Sequence, residues 1–551
     1  MKRILPGITA AAGIAAITAF TDRYFELSKN IEVFSSLYRE VNTYYVDDVE
    51  PSKLMRNFLD GMLKTLDPYT NYFSQSQIEK ARIQQGGKFG GIGIEIDTMR
   101  GYPVVTAVWK DQPADKAGIQ PGDVILSIDG STTLNRQKED VEKFLTGEPK
   151  SRIILQIERK ISSSETRQLH LNLMREEIQE TNVPFFGMIT PEIGCIKLKI
   201  FNEHAAQDVR RAYDSLKNIQ PRLKGLILDL RGNPGGLMLE AVEIVNMFIE
   251  KDKLVVATKG KVDEWNNTFK TKSDPVDLQI PIAVLVNSGS ASASEIVSGA
   301  LQDYDRAVII GQKTFGKGLV QITRPLSYNT MLKVTTAKYY IPSGRCIQAI
   351  NYAERNEDGS VKRIPDSLKR EFKTSAGRKV WDGGGIDPDI PLPKPELSAV
   401  AQALERQHLI FDFATLYTLQ KNNLEDPATF KLSEKDYNDF LAFIRSRGFA
   451  YRTETEQKLE KLKQIATDEK YFDAIQPAHQ QLIKKIANEK EQDLMRHKGE
   501  IITLLENEIV GRYYYAYGKV KKSYQNDAEV ARAVQLLNQP DEIKKILSAK
   551  N

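Results

Sequence analysis

Three loops bring reactive side chains together with small residues. The first is Asn287-Ser288-Gly289-Ser290-Ala291-Ser292-Ala293-Ser294-Glu295, set between an apolar run at 281–286 and a helix-like run from 294 to 304. A hydroxyl at such a strand–turn–helix junction stands clear at the top of a sheet. The helix behind it offers free N–H groups and a positive dipole end, and both favour an oxyanion. The same serines also suit helix capping, and Ser294 is the expected N-cap. The second loop, Arg231-Gly232-Asn233-Pro234-Gly235-Gly236, again follows a buried strand-like run and precedes a helix. Its glycine N–H groups could donate to a developing oxyanion, although a tight β–α turn explains the glycines equally well. The third, Gly311-Gln312-Lys313-Thr314-Phe315-Gly316-Lys317-Gly318, carries Lys317 beside Phe315, Leu319 and Val320. An apolar neighbourhood lowers a lysine pKa, which suits a general base.

Other chemistries fit less well. The third loop nearly spells a phosphate-binding P-loop, but Gly318 stands where the magnesium-holding hydroxyl belongs. The following Leu319-Val320-Gln321-Ile322-Thr323 is strand-like, not helical. Of the five histidines, His408, His479 and His497 lie in a helical tail and His170 in a small β unit, so a Ser–His–Asp triad would rest on His204 alone. No His/Cys/Asp/Glu grouping has metal-ligand spacing, so neither a metal nor a cofactor is expected.

The chain has 551 residues, 41% hydrophobic and 27% charged, which is ordinary globular composition. Its 77 basic and 73 acidic residues leave a net charge of +4, too balanced to argue for a nucleic-acid partner. Met1-Lys2-Arg3 followed by the apolar run 4–21 fits an export segment, either a signal peptide or a retained membrane anchor over residues 1–21. That run is the only expected membrane contact, and it points to the periplasm or cell envelope. Cys195 and Cys346 both sit in strand-like runs and read as buried free thiols, with a single bridge left open.

The elements that must position these loops follow from periodicity. Residues 22–85 read as helical, with Leu54, Phe58, Met62 and Leu66 on one stripe. A β-rich unit occupies 86–174, with a glycine stop at 118 and a hairpin turn at Asp129-Gly130. From 175 to 395 short apolar strands alternate with helices, which predicts a sheet with parallel portions. Pro391, Pro393 and Pro395 mark a boundary. Residues 396–551 form a charged helical domain. The fold class is therefore α/β (α+β) and multidomain.

These pieces in this order resemble the carboxyl-terminal processing peptidases, or tail-specific proteases. The resemblance spans about residues 66–389 and rests on GSASASE at 289–295, DLRGNPGG at 229–236, TFGKGLVQ at 314–321, YYIPSGRCIQ at 339–348 and GIDPDI at 385–390. It implies a crotonase/Clp-like peptidase core with a Ser–Lys–Gln arrangement. Its family spacing selects Ser292 as nucleophile, Lys317 as base and Gln321 as the partner orienting the lysine, with a bend at Gly318. It further implies an oxyanion hole from Ala293 and a glycine of the Gly235-Gly236 pair. The β unit looks like a PDZ domain, and Gly90-Gly91-Ile92-Gly93-Ile94 resembles its carboxylate-binding loop. Clustered N–H groups there would hold a terminal carboxylate while the adjacent strand edge pairs with the peptide. The expected substrates are proteins or peptides with free, apolar C-termini. The helical domain is open to an adaptor or to self-association. Asp67-Pro68-Tyr69-Thr70 replaces the DPHS often seen before this PDZ domain, and the long tail exceeds the minimal family pattern. Two other classes compete: a catalytically inactive PDZ scaffold, against which intact Ser292, Lys317 and Gln321 argue, and a crotonase-like acyl-CoA enzyme, against which the PDZ unit and export segment argue.

Overall fold

The computed structural model describes residues 6–75, 77–78, 88–356 and 360–548. Residues 1–5 of the expected export segment and 79–87, where the β unit was expected to begin, lie outside the described residues. The chain divides into two compact units, Met1–Gln75 with Gln321–Thr335, and Ser76–Val320 with Thr336–Asn551.

In the first unit, helix Pro6–Tyr44 is followed by helix Pro51–Lys64 and strand β1, Asn71–Phe73. No helix among the described residues is long and apolar enough to cross a membrane. The expected stripe is rotated. Leu63 is the buried residue of the second helix, while Phe58, Met62 and Leu66 are exposed. Phe58 instead stacks on Phe34 with ring centroids 4.2 Å apart. Asp67 ends the helical stretch as a turn acceptor, taking the N–H groups of Tyr69 and Thr70, each at 2.8 Å. β1 pairs antiparallel with residues 331–333.

The second unit begins with the small β domain. Strand β2 (Lys88–Gly91) pairs with β9 (Glu176–Gln179). Strands β3 (Ile94–Met99), β4 (Tyr102–Val108), β5 (Val124–Ile128), β7 (Arg152–Lys160) and β8 (Thr166–Met174) form one sheet in that order, with β6 (Ser131–Thr132) on β5. Asp129 and Gly130 both take positive φ, 49° and 79°, as a two-residue hairpin requires. Helix Lys138–Leu145 closes the core by burying Val141 and Leu145 among Ile92, Ile96 and Val105.

The central sheet runs β10 (Phe185–Thr190), β11 (Ile193–Lys197), β12 (Gly225–Asp229), β15 (Ile282–Val286), β16 (Val308–Gly311) and a short strand Ile390–Pro391. Every pairing from β11 onward is parallel, as the alternating strands and helices predicted. Strands β13 (Leu254–Gly260) and β14 (Asn267–Lys270) form an antiparallel pair beside it. Successive residues of a strand face opposite sides, and both faces are covered here. Leu226, Leu228, Val284 and Val286 pack on helices Ala205–Ile219, Met238–Asn246 and Ala293–Asp303. Ile227, Ala283, Leu285 and Ile310 pack on Val530, Ala533, Leu536 and Ile543 from helices Ala528–Leu537 and Pro540–Leu547. The end of the helical region thus belongs to the core of the sheet. The helices between 399 and 523 bury a core of their own around Leu404, Phe413, Phe440, Leu505 and Ile509. Cys195 is buried and free. Cys346 is also free but sits in an irregular segment, not in the expected strand, because a turn at Pro342-Ser343 has already ended the preceding strand.

Candidate active site

Two loops at the carboxyl ends of parallel strands meet glycine to glycine. β12 leads into residues 231–236 and β15 into 287–292. A Cβ on Gly289 would stand 3.0 Å from the Gly232 Cα. Side chains staple them: Asn287 Oδ1 accepts the N–H groups of Gly232 (2.9 Å) and Gly289 (3.0 Å). Ala291 N–H donates to the Asn233 carbonyl at 3.0 Å.

The serines of the second loop have different fates. Ser290 is buried and donates to the Leu230 carbonyl at 2.8 Å, and its oxygen accepts the Asn287 N–H at 3.0 Å. Ser294 is also buried and donates to the Asn233 carbonyl at 2.9 Å. It is not the N-cap that its sequence position suggested. The helix begins one residue earlier, at Ala293, and Ser292 is the cap residue. Ser292 is only half-buried and has φ 55°, ψ −113°, a conformation that residues with a side chain rarely adopt. Backbone held in such a region has to be over-determined by its surroundings.

Glu295 supplies much of that constraint. Its carboxylate is fully buried and is surrounded by donors. Oε2 accepts the N–H groups of Ser292 (2.8 Å) and Lys317 (2.9 Å). Oε1 accepts the Gly316 N–H (2.7 Å) and the Thr314 hydroxyl (2.5 Å). Burial pushes this carboxyl up to about 7, against the opposing pull of those four hydrogen bonds. One side chain therefore registers the serine loop on the lysine loop. Tyr339 adds a second tie, its hydroxyl lying at the carbonyl oxygens of both Ser292 (3.2 Å) and Lys317. Sequence reasoning quoted Glu295 but gave it no role. The signal was present, since Ser292-x-x-Glu295 has capping-box spacing.

Lys317 is half-buried. Leu319 beside it is buried, whereas Phe315 is 40% exposed. Gln321 belongs to the first unit, where its Nε2 donates to Thr335 Oγ1 at 3.2 Å.

The oxyanion candidates also separate. Gly235, at φ 99°, packs so closely that a Cβ would stand 2.8 Å from the Ser292 Cβ and 2.9 Å from the Ala293 nitrogen. Its N–H is used by Asn233 Oδ1 at 2.9 Å. The N–H groups of Gly236 and Ala293 carry no such bond within the described residues.

In the PDZ-like domain, Gly90 and Gly91 pair with Glu177 and Glu176, and the Gly90 carbonyl accepts the Gly147 N–H at 2.9 Å. Ile92 and Gly93 instead use their carbonyls, which take the N–H groups of Ala114 and Trp109, each at 2.9 Å. Gly93 has φ 77°, and a Cβ there would meet Gln112 Cβ at 2.4 Å. β3 is an edge strand among the described residues, with helix Lys138–Leu145 beside it.

This combination defines a serine peptidase built on an α/β core with a PDZ domain. The chain matches the family described as "Peptidase family S41" over residues 192–354, "PDZ domain" over 104–159, and "Probable PDZ-protease, C-terminal helical domain" over 400–537. It is 35% identical over 345 residues to the "Carboxy-terminal-processing protease" of Bartonella bacilliformis, covering 62% of this chain and 78% of that one. It is 34% identical over 418 residues to a "Probable CtpA-like serine protease" of Staphylococcus aureus, covering 74% and 80%. Among solved structures, the "Photosystem II D1 C-terminal processing protease" is 26% identical over 65% of this chain and 92% of its own, with a TM-score of 0.35. The chain belongs to the carboxy-terminal-processing protease family of serine peptidases.

Proposed function

We propose that this chain is an endopeptidase that captures proteins by their carboxyl-terminal tails and cleaves them with a Ser292–Lys317 dyad. The observation that carries the reading is the Glu295 carboxylate. It holds the N–H of Ser292, in its strained conformation at a helix mouth, and the N–H of Lys317 through the same oxygen. In the proposed cycle the neutral Lys317 amine takes the Ser292 proton as the oxygen attacks a peptide carbonyl. The same proton then passes to the leaving amine, and water resolves the acyl-enzyme by the reverse route. The N–H groups of Ala293 and Gly236 hold the oxyanion, the latter favoured over Gly235 because the Gly235 N–H is already engaged. Gln321 is assigned the role of orienting the lysine.

Tail capture is assigned to the segment from Gly90 to Ile94, with its donors from Ile92 and Gly93 and an open β3 edge to pair with an extended peptide. The apolar surroundings of this segment, with Ile94 only partly buried, favour an apolar final side chain. A charged one would be desolvated without a partner. The export segment assigns the enzyme to the periplasm or cell envelope, and the helical domain is available to an adaptor or a second copy.

The test uses purified protein and one unstructured substrate, prepared with a free apolar C-terminus and as its C-terminal amide. Ser292→Ala should be inert, and Lys317→Arg also, because a guanidinium does not deprotonate. The amide should be cut more slowly below saturation. Cleavage by either variant overturns the dyad, and equal rates on the two substrates overturn tail selection.

A further inference from the structure

The helix Ala528–Leu537 does more than cover a face of the sheet. It brings two carboxylates to the undersides of the catalytic loops. Asp527 caps it, accepting the N–H groups of Glu529 (2.9 Å) and Val530 (3.1 Å). Arg231, which opens the 231–236 loop, engages all three nitrogens of its guanidinium. Nε and Nη2 pair with Asp229 at 2.9 and 2.8 Å, while Nη1 meets Asp527 at 2.7 Å and Glu529 Oε2 at 2.6 Å. Tyr524 donates to Asp229 Oδ2 at 2.6 Å from the same C-terminal segment.

The other oxygen of Glu529 reaches a different loop. Oε1 accepts from Gln312 Nε2, which also donates to the Leu392 carbonyl at 3.2 Å. Gln312 opens the loop that carries Lys317, and its N–H donates to the Val286 carbonyl at 3.0 Å. Glu529 is 4% exposed, and a buried carboxylate is tolerated only when its partners are in place. Gln312 cannot turn its amide over without setting its oxygen against Leu392. A single carboxylate from the C-terminal segment therefore spans the loop bearing Gly236 and the loop bearing Lys317.

We propose that Glu529 is a positioning residue for catalysis, fixing the 231–236 loop against the 312–317 loop so that the Gly236 N–H and the Lys317 amine address one substrate carbonyl. The inference rests on the Ser292–Lys317 reading given above. It gives the helical region a part in the chemistry that neither the motif loops nor the PDZ domain supplies.

The experiment measures kcat and KM for the full chain, well below its melting temperature, on the unstructured substrate and on its C-terminal amide. Glu529→Gln keeps an acceptor for Arg231 but sets an amide nitrogen against Gln312. Glu529→Asp keeps the charge but is too short to reach both loops. Both should lower kcat about tenfold or more while KM stays within about twofold, because misplacing a reacting group acts on the chemical step. The loss should be equal for free and amidated tails. Should Glu529→Gln fail to fold, Glu529→Asp carries the measurement alone. Wild-type kcat in a folded variant, or a loss confined to KM, overturns the proposal. Cleavage by Ser292→Ala in the same assay would instead overturn the dyad on which it rests.

Discussion

Gly235 and Ser292 are packed so closely that a Cβ on the glycine would stand 2.8 Å from the Cβ of the serine. The 231–236 loop is thus one wall around Ser292. It holds Ser292 at φ 55° from one side while Glu295 holds it from the other. Gly235→Ala should leave the fold recognisable by circular dichroism, yet lower kcat/KM by about a hundredfold, since misplacing a reacting group by about 1 Å is that costly. A folded, fully active Gly235→Ala protein would mean that this contact does not position Ser292.

Ser290 and Ser294 should show the opposite behaviour to Ser292. Their hydroxyls are committed to the Leu230 and Asn233 carbonyls inside the protein. Ser290→Ala and Ser294→Ala should each cost about 1–3 kcal/mol of stability, as buried partners are left unmatched, while keeping measurable proteolysis. Denaturant midpoints and cleavage rates on the same samples check this. Abolished cleavage with unchanged midpoints would contradict it.

Glu295 gives a pH dependence of stability with a definite sign. Its folded-state value is raised from 4.5 to about 7, so the folded state holds a proton more tightly than the unfolded chain. That contribution is complete below about pH 4.5 and is lost as pH rises through about 7. Glu295→Gln cannot titrate there. The difference in unfolding free energy, wild type minus Glu295→Gln, should therefore fall between pH 4.5 and 7 and level off above. A difference that is flat or rising across that window would overturn the assignment.

Much of this site was legible in the sequence because catalytic loops on parallel sheets are local features. A glycine-rich turn after a short apolar strand announces itself within ten residues, and so did 231–236, 287–295 and 311–318. Sequence places the cap at Ser294 where the structure has Ser292, because propensity alone does not distinguish neighbouring serines. The distinction comes from where Asn233 and Leu230 present their carbonyls, which is tertiary information. How far Phe315 is exposed was not legible, since an apolar residue in a loop carries no periodicity to say which way it faces. The stripe in helix Pro51–Lys64 failed similarly, with Leu63 buried instead of its flanking residues. Glu529 had no local signal at all. It is one acidic residue among many in a charged helical region, and its partner Arg231 lies 298 positions away.

That separation orders events in the life of the molecule. Chains are synthesised from the amino terminus, and domains generally fold as they emerge. Arg231, Ser292 and Lys317 are all made long before Tyr524, Asp527 and Glu529. Until the later residues arrive, the second face of the sheet lacks Val530, Ala533 and Leu536, and Arg231 lacks two of its three carboxylate partners. A chain not yet extended to Glu529 therefore carries every motif of the proposed site without these two contacts. That order of synthesis makes the contacts of Arg231 with Asp527 and Glu529 among the last that the proposed site acquires.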